Sequence, residues 1–94
     1  MKKFTKENLT IEKIPNKAGI YYFYDSKRKL IYVGHSDILR HRIQSYFETD
    51  DFHTHPTKKP LRTKIEYFDF KVMNLEKAKD LEKTIKANCK YNFK

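Results

Sequence analysis

One cysteine in the whole chain, Cys89, excludes an internal disulfide and a cysteine-built zinc site. Two glycines and three prolines leave no low-complexity linker and little reason to expect disorder away from the termini. Tryptophan is absent and no apolar run approaches a transmembrane length, so neither an interfacial aromatic belt nor a spanning helix is expected. The charged start, Met1 to Glu7, is followed by no apolar segment of the secretory kind. These absences fit a reducing compartment, and the cytoplasm is the expected location. Acidic residues are also scarce: 12 Asp and Glu stand against 21 Lys and Arg, for a formal charge of +9.

What the chain does have is aromatic surface and positive charge. Seven Phe and seven Tyr must supply much of the core, because each aromatic ring buries a large area. Ninety-four residues make one domain, near the size where stability becomes marginal. A net +9 is the footprint of a polyanion binder, with nucleic acid first and anionic membrane a weak second.

Two short tyrosine motifs stand out: Gly19-Ile20-Tyr21 and Tyr32-Val33-Gly34. Strand-forming residues surround both, and the charged stretch Asp25-Ser26-Lys27-Arg28-Lys29 separates them, which predicts a β-hairpin. A four-residue loop at 25–28 would set Tyr24 against Lys29 and Tyr21 directly opposite Tyr32, both phenols on one face. One residue of slip would part them. Upstream, Ile11, Ile14 and Pro15 predict an arm laid over the core.

Gly34 is expected to end the second strand and Ser36 to cap a helix, with Asp37 in its first turn. In that helix Leu39, Ile43, Tyr46 and Phe47 recur at core-facing spacing, and Arg42 stands one turn from Tyr46. Residues 48–63 read as a loop. A third strand is predicted over 64–72, with Phe68, Phe70 and Val72 turned to the core and Glu66 the exception. Asn74 caps a last helix with an apolar stripe of Leu75, Ala78, Leu81 and Ile85 and with Glu82 at its margin. The order β-β-α-β-α predicts an α+β fold, a three-stranded antiparallel sheet flanked by helices.

Gly19-Ile20-Tyr21, Tyr32-Val33-Gly34, Arg42, Leu81-Glu82 and Tyr91-Asn92, in that order, resemble the GIY-YIG nuclease superfamily. The likeness covers residues 14–93, and the local wording is similar to the nuclease domain of the bacterial excinuclease that makes the 3′-side incision. Each triplet alone is weak; five ordered elements together are strong. His35 departs from the lysine common after the second motif. The segment from Glu82 to Asn92 is shorter than the pattern and lacks its proline. The pattern ends with the sequence, so no separate DNA-targeting module is expected within it.

The resemblance implies hydrolysis of DNA phosphodiester bonds with Mg²⁺ or Mn²⁺. Glu82 would hold one such ion, which suits a hard oxygen ligand and keeps most of its waters. Arg42 would offer a planar, permanently charged fork to the scissile phosphate. Tyr21 or Tyr32 would orient or deprotonate the attacking water; the resemblance favours Tyr21 as base with Tyr32 assisting. A phenol serves as a base near neutral pH only if cations lower its pKa, and Arg42, the metal, His35 or Lys90 could do so. Tyr46 and His35 are further candidates for water or phosphate contacts, and Asn92 for orienting the site.

Each residue has a plainer explanation in isolation. Tyr21 and Tyr32 would be sheet aromatics, Tyr46 core, Arg42 a solvated helix charge, and Glu82 the i,i+4 partner of Lys86. Their joint occurrence favours the nuclease. His53-Thr54-His55 reads as surface rather than as a metal pair. Lys27, Arg28, Lys29, Arg40, Lys58, Lys59, Arg62 and Lys64 are the expected DNA-backbone contacts. Three readings follow: a metal-dependent endonuclease, nicking or structure-selective; a nucleic-acid-binding module with the same fold and little cleavage; or a catalytic subunit that homodimerises or takes a targeting partner protein.

Overall fold

A computed structural model describes residues 2–10, 12–47 and 64–88. Its elements are β1 (Lys2–Lys3), a 3-10 turn (Lys6–Leu9), β2 (Gly19–Tyr24), β3 (Leu30–Ser36), α1 (Leu39–Phe47), β4 (Tyr67–Val72) and α2 (Leu75–Asn88). The four strands form one antiparallel sheet in the order β1-β4-β2-β3. The expected three strands become four because Lys2 and Lys3 pair with Phe68 and Tyr67. Two lysines carry no hydrophobic alternation, so this edge leaves no trace in the residue pattern. Backbone bonds from Phe4 to the Glu66 carbonyl and from Glu66 to the Tyr24 carbonyl extend the ladder at that end.

The hairpin register differs from the expected one by two residues. Tyr21 pairs with Gly34, and Tyr32 pairs with Phe23. Two displacements of one residue each produce this. The Arg28 N–H closes a turn on the Asp25 carbonyl, and the Asp25 N–H bonds the Lys29 carbonyl, so the loop is centred one residue later. Arg28 takes the left-handed position (φ 63°) usually given to glycine in such a turn. The Asp25 side chain holds it by accepting from the Lys27 and Lys29 N–H groups, both at 2.9 Å. The second displacement is a bulge between Phe23 and Tyr24, where the partner jumps from Tyr32 to Leu30. Either displacement alone would flip the side chains; together they restore the face. Tyr21 and Tyr32 therefore share a side as diagonal neighbours, their ring centroids 6.1 Å apart.

The sheet is covered on both faces. On one, Tyr21, Phe23 and Phe68 pack with Leu39, Ile43 and Tyr46 of α1 and with Phe4, Leu9 and Ile14 of the N-terminal segment. Phe23 and Phe68 are fully buried, each contributing about 1.5–3 kcal/mol over an exposed side chain. On the other, Ile20 and Val33 meet Ala78 of α2, with Leu81 and Ile85 beside them. The predicted arm is present at Ile14; Ile11 lies outside the described residues. The face expected to carry Val72 inward runs out of cover, and Val72 is 47% exposed.

Both helix starts are satisfied from outside the helix. The Asn74 side chain accepts from the Glu76 N–H at 2.8 Å, as expected of a cap. At α1 the expectation fails: Ser36 is the last residue of β3, and its hydroxyl accepts from the Ile38 N–H in a turn before the helix. The Leu39 and Arg40 N–H groups instead donate to the Lys17 and Pro15 carbonyls. The N-terminal segment thus caps α1, a role no local pattern around Ser36 could reveal.

Candidate active site

Three phenols gather where α1 crosses the hairpin. Tyr21 comes from β2, Tyr32 from β3 and Tyr46 from α1, and each pair of ring centroids is 6.1 Å apart. The Tyr21 hydroxyl donates to that of Tyr46 at 3.5 Å, and Tyr46 is in turn bonded to Tyr32. Tyr21 is 2% exposed, whereas Tyr32 is only half-buried. Gly34 makes room for this packing, because the Tyr21 ring lies against its α-carbon.

Burial dominates the acidity of the two inner phenols. It pushes Tyr21 well above the usual tyrosine value, and neighbouring Tyr46 and Tyr32 add to the effect. Tyr46 is pushed up to about 12, chiefly by burial. The Arg42 charge acts in the opposite direction on both and is outweighed. Arg42 by itself thus does not bring the Tyr21 phenol toward neutral pH. Desolvation of a ring sealed beneath α1 exceeds the pull of one exposed guanidinium. Arg42 itself is exposed, one turn before Tyr46.

On the opposite face, Glu82 of α2 meets His35 of β3. The distance from His35 Nδ1 to Glu82 Oε1 is 2.7 Å, and Lys86 Nζ lies 2.9 Å from Oε2. Burial alone would raise the Glu82 pKa, but hydrogen bonds and charge from Lys86 and His35 prevail, so the carboxyl sits below its usual value. The i,i+4 pairing that explains Glu82 in isolation is therefore real. Lys86 also lies 5.8 Å from the Tyr32 ring centroid. Among the described residues β3 is an edge strand, so the phenols and the carboxylate lie on either side of the sheet's rim, with Lys86 near both. Sequence reasoning placed Lys86 only as a helix partner; the extra signal, proximity to Tyr32, is tertiary.

Among the described residues no cluster of three or more His, Cys, Asp or Glu is poised to hold a metal. A single ionised carboxylate fits a hydrated Mg²⁺ or Mn²⁺, which needs few protein ligands, and does not fit a closed zinc site.

Lys27, Arg28 and Lys29 occupy the exposed hairpin tip, and the Arg28 guanidinium stacks 5.2 Å from the Tyr67 ring centroid. The tip lies beyond the third pair along the strands from Gly34, roughly 10 Å away at ~3.3 Å per residue. Arg40 is half-buried and Lys64 exposed. Lys58, Lys59, Arg62, Lys90 and Asn92 lie outside the described residues, as do His53, His55 and Cys89. Among the described residues no helix is long and apolar enough to cross a membrane.

The family model for the UvrC-like GIY-YIG domain matches residues 17–93. UvrABC system protein C of Campylobacter jejuni subsp. jejuni serotype O:23/36 is 42% identical over 55 residues, covering 55% of this chain and 9% of that protein. The protein of the same name from Methanosphaera stadtmanae is 34% identical over 68 residues, covering 72% of this chain and 11% of that protein. The chain thus spans about a tenth of the length of these curated relatives. The crystal structure of the GIY-YIG N-terminal endonuclease domain of UvrC from Thermotoga maritima, bound to its catalytic magnesium, superposes with a TM-score of 0.71 at 25% identity. That match covers 98% of this chain and 99% of the other. With most of its length matched by the model and its fold shared with a solved member, the chain belongs to the UvrC-like GIY-YIG domain family.

Proposed function

We propose that this domain is a metal-dependent endonuclease that hydrolyses DNA phosphodiester bonds, nicking or selecting for DNA structure. The observation that carries the reading is a carboxylate kept ionised at the sheet's rim, opposite a phenol cluster with an exposed arginine beside it. Glu82 would hold one Mg²⁺ or Mn²⁺. Such an ion, when bound, would activate water and neutralise charge on the phosphate.

The remaining work falls to this chain's own side chains. Arg42 extends from α1 into solvent and can hold the scissile phosphate through its planar fork. Tyr32 is the phenol best placed to contact the attacking water, because it is the accessible member of the cluster. Tyr21 is sealed and biased toward its neutral form, so it serves better as the buried anchor of the hydroxyl chain through Tyr46. This reverses the roles that the resemblance favours. The Tyr32 oxygen accepts from Tyr46 and keeps a second lone pair with which to accept from the attacking water and orient it. His35 orients the Glu82 carboxylate. Asn92 keeps its expected orienting role as a proposal.

The exposed basic tip at Lys27–Lys29, with Arg40 and Lys64, would hold flanking backbone without reading sequence. The relatives are named as components of a three-part system, and a targeting partner protein fits a domain of this size. A binding module with little cleavage is the second reading. It is favoured by the engagement of both Glu82 oxygens by His35 and Lys86.

The test is incubation with nicked, branched and plasmid DNA in Mg²⁺ or Mn²⁺, against EDTA and against Glu82→Gln. Cleavage abolished by both controls supports the endonuclease. Cleavage that survives both would sink the one-metal proposal, and intact binding without cleavage of any substrate would favour the module.

A further inference from the structure

We propose that Lys86 is an internal competitor for the metal position on Glu82, and that the ion's arrival releases its ammonium group toward the DNA phosphate. The inference rests on Glu82 being the metal-binding carboxylate. Both of its oxygens already carry a donor: His35 at 2.7 Å on Oε1 and Lys86 at 2.9 Å on Oε2. A divalent ion takes a carboxylate oxygen at about 2.0–2.1 Å, and an ammonium on the same group opposes it by like-charge repulsion. Each oxygen keeps a second lone pair, so the ion can enter beside a donor, and charge and crowding decide which partner is pushed aside.

Their attachments differ. His35 is a short side chain on a paired strand, opposite Ile20, and its ring stays close to its backbone. Lys86 sits at the end of a flexible four-carbon stem, and its side chain is 43% exposed. From that same position Nζ also lies 5.8 Å from the Tyr32 ring centroid, so the ring marks the direction open to it. That ring attracts a cation by its quadrupole and belongs to the phenol cluster beside Arg42. A lysine leaving Glu82 in that direction joins Arg42 at the place where a phosphate would sit. Metal binding and phosphate binding are then coupled through one side chain.

The experiment uses the full chain. Mn²⁺ binding without DNA is followed by electron paramagnetic resonance of the free ion, for wild type, Lys86→Met and Lys86→Arg. Lys86→Met should bind Mn²⁺ about three- to fivefold more tightly, the scale of an exposed ion pair, and Lys86→Arg should stay near wild type. A second measurement reads the affinity for a nicked duplex by fluorescence anisotropy, with and without Ca²⁺ as an oxygen-seeking ion. The gain from Ca²⁺ should be smaller in Lys86→Met than in wild type. Unchanged or weaker Mn²⁺ binding by Lys86→Met overturns the competition, and an equal Ca²⁺ gain overturns the release toward phosphate. Glu82→Gln separates the two levels. If it binds Mn²⁺ as well as wild type, the metal assignment itself fails, and the competition with it. A helix partner without this role would change melting slightly and leave the Mn²⁺ affinity alone.

Discussion

The Tyr21 ring lies directly against the α-carbon of Gly34. A methyl group at that carbon would stand 2.4 Å from the Tyr21 hydroxyl oxygen and 2.5 Å from Cζ. The glycine of the second motif exists, in this fold, to accommodate the tyrosine of the first, its cross-strand partner.

Gly34→Ala should therefore destabilise the domain by about 1–3 kcal/mol, the range for overpacking a close-packed core. The clash is specific to one ring, so the same substitution should cost much less in a Tyr21→Leu background. Denaturant melts of the double-mutant cycle measure this, and additive effects would place the cost elsewhere.

Alkaline stability should reflect the sealed phenols. Tyr46 ionises near 10.0 when unfolded and near about 12 when folded, so its contribution is full below pH 10 and lost as pH rises toward 12. The unfolded chain releases the proton first, which favours unfolding across that window. The loss amounts to roughly 3 kcal/mol at ~1.36 kcal/mol per unit. Tyr46→Phe should flatten the fall in denaturation midpoint between pH 10 and 12, and an unaltered slope would contradict the assignment.

Acid has the opposite sign at Glu82. Its folded pKa is lowered by Lys86 and His35 against the pull of burial. Its contribution is therefore present above the ordinary carboxylate range and lost as pH falls through the lowered folded value. Glu82→Gln should reduce the acid dependence of the melting temperature, measured from pH 6 down to pH 2.

Arg42→Ala should leave melting within about 0.5 kcal/mol of wild type, since the side chain is exposed. Cleavage should fall by about 10²–10³ if the guanidinium faces developing charge. A large loss of stability would make Arg42 structural.

Tyr32→Phe should reduce cleavage more than Tyr21→Phe, while Tyr21→Phe should disturb the core and the hydroxyl chain. Single-turnover rates beside thermal melts separate these effects. Equal losses of rate would return Tyr21 to the chemistry.

Much of this fold was legible because local chemistry and tertiary packing agree. Asn74 caps α2 as its residue type suggests, and Leu39, Ile43 and Tyr46 bury the face that their spacing describes. Two of the misreadings originate in contacts distant along the chain. β1 exists only because β4 offers an edge, and α1 is capped by Pro15 and Lys17 rather than by Ser36. The Tyr21–Tyr32 pairing was read two residues off, yet to the correct face, because the turn shift and the bulge compensate. At the candidate site, the shared face of Tyr21 and Tyr32 was readable but their solvation was not. Nothing local in Gly19-Ile20-Tyr21 says that α1 will seal Tyr21 and leave Tyr32 accessible.

The placement of β3 has a consequence for assembly. It pairs with β2 on one side, among the described residues it ends the sheet on the other, and it supplies both Tyr32 and His35. Joining two copies strand to strand through β3 would extend the sheet and close the rim between the phenols and Glu82. Such a pairing would trade the reaction for a longer ladder. If the rim is the site, as proposed, a dimer that cuts DNA would join through some other surface.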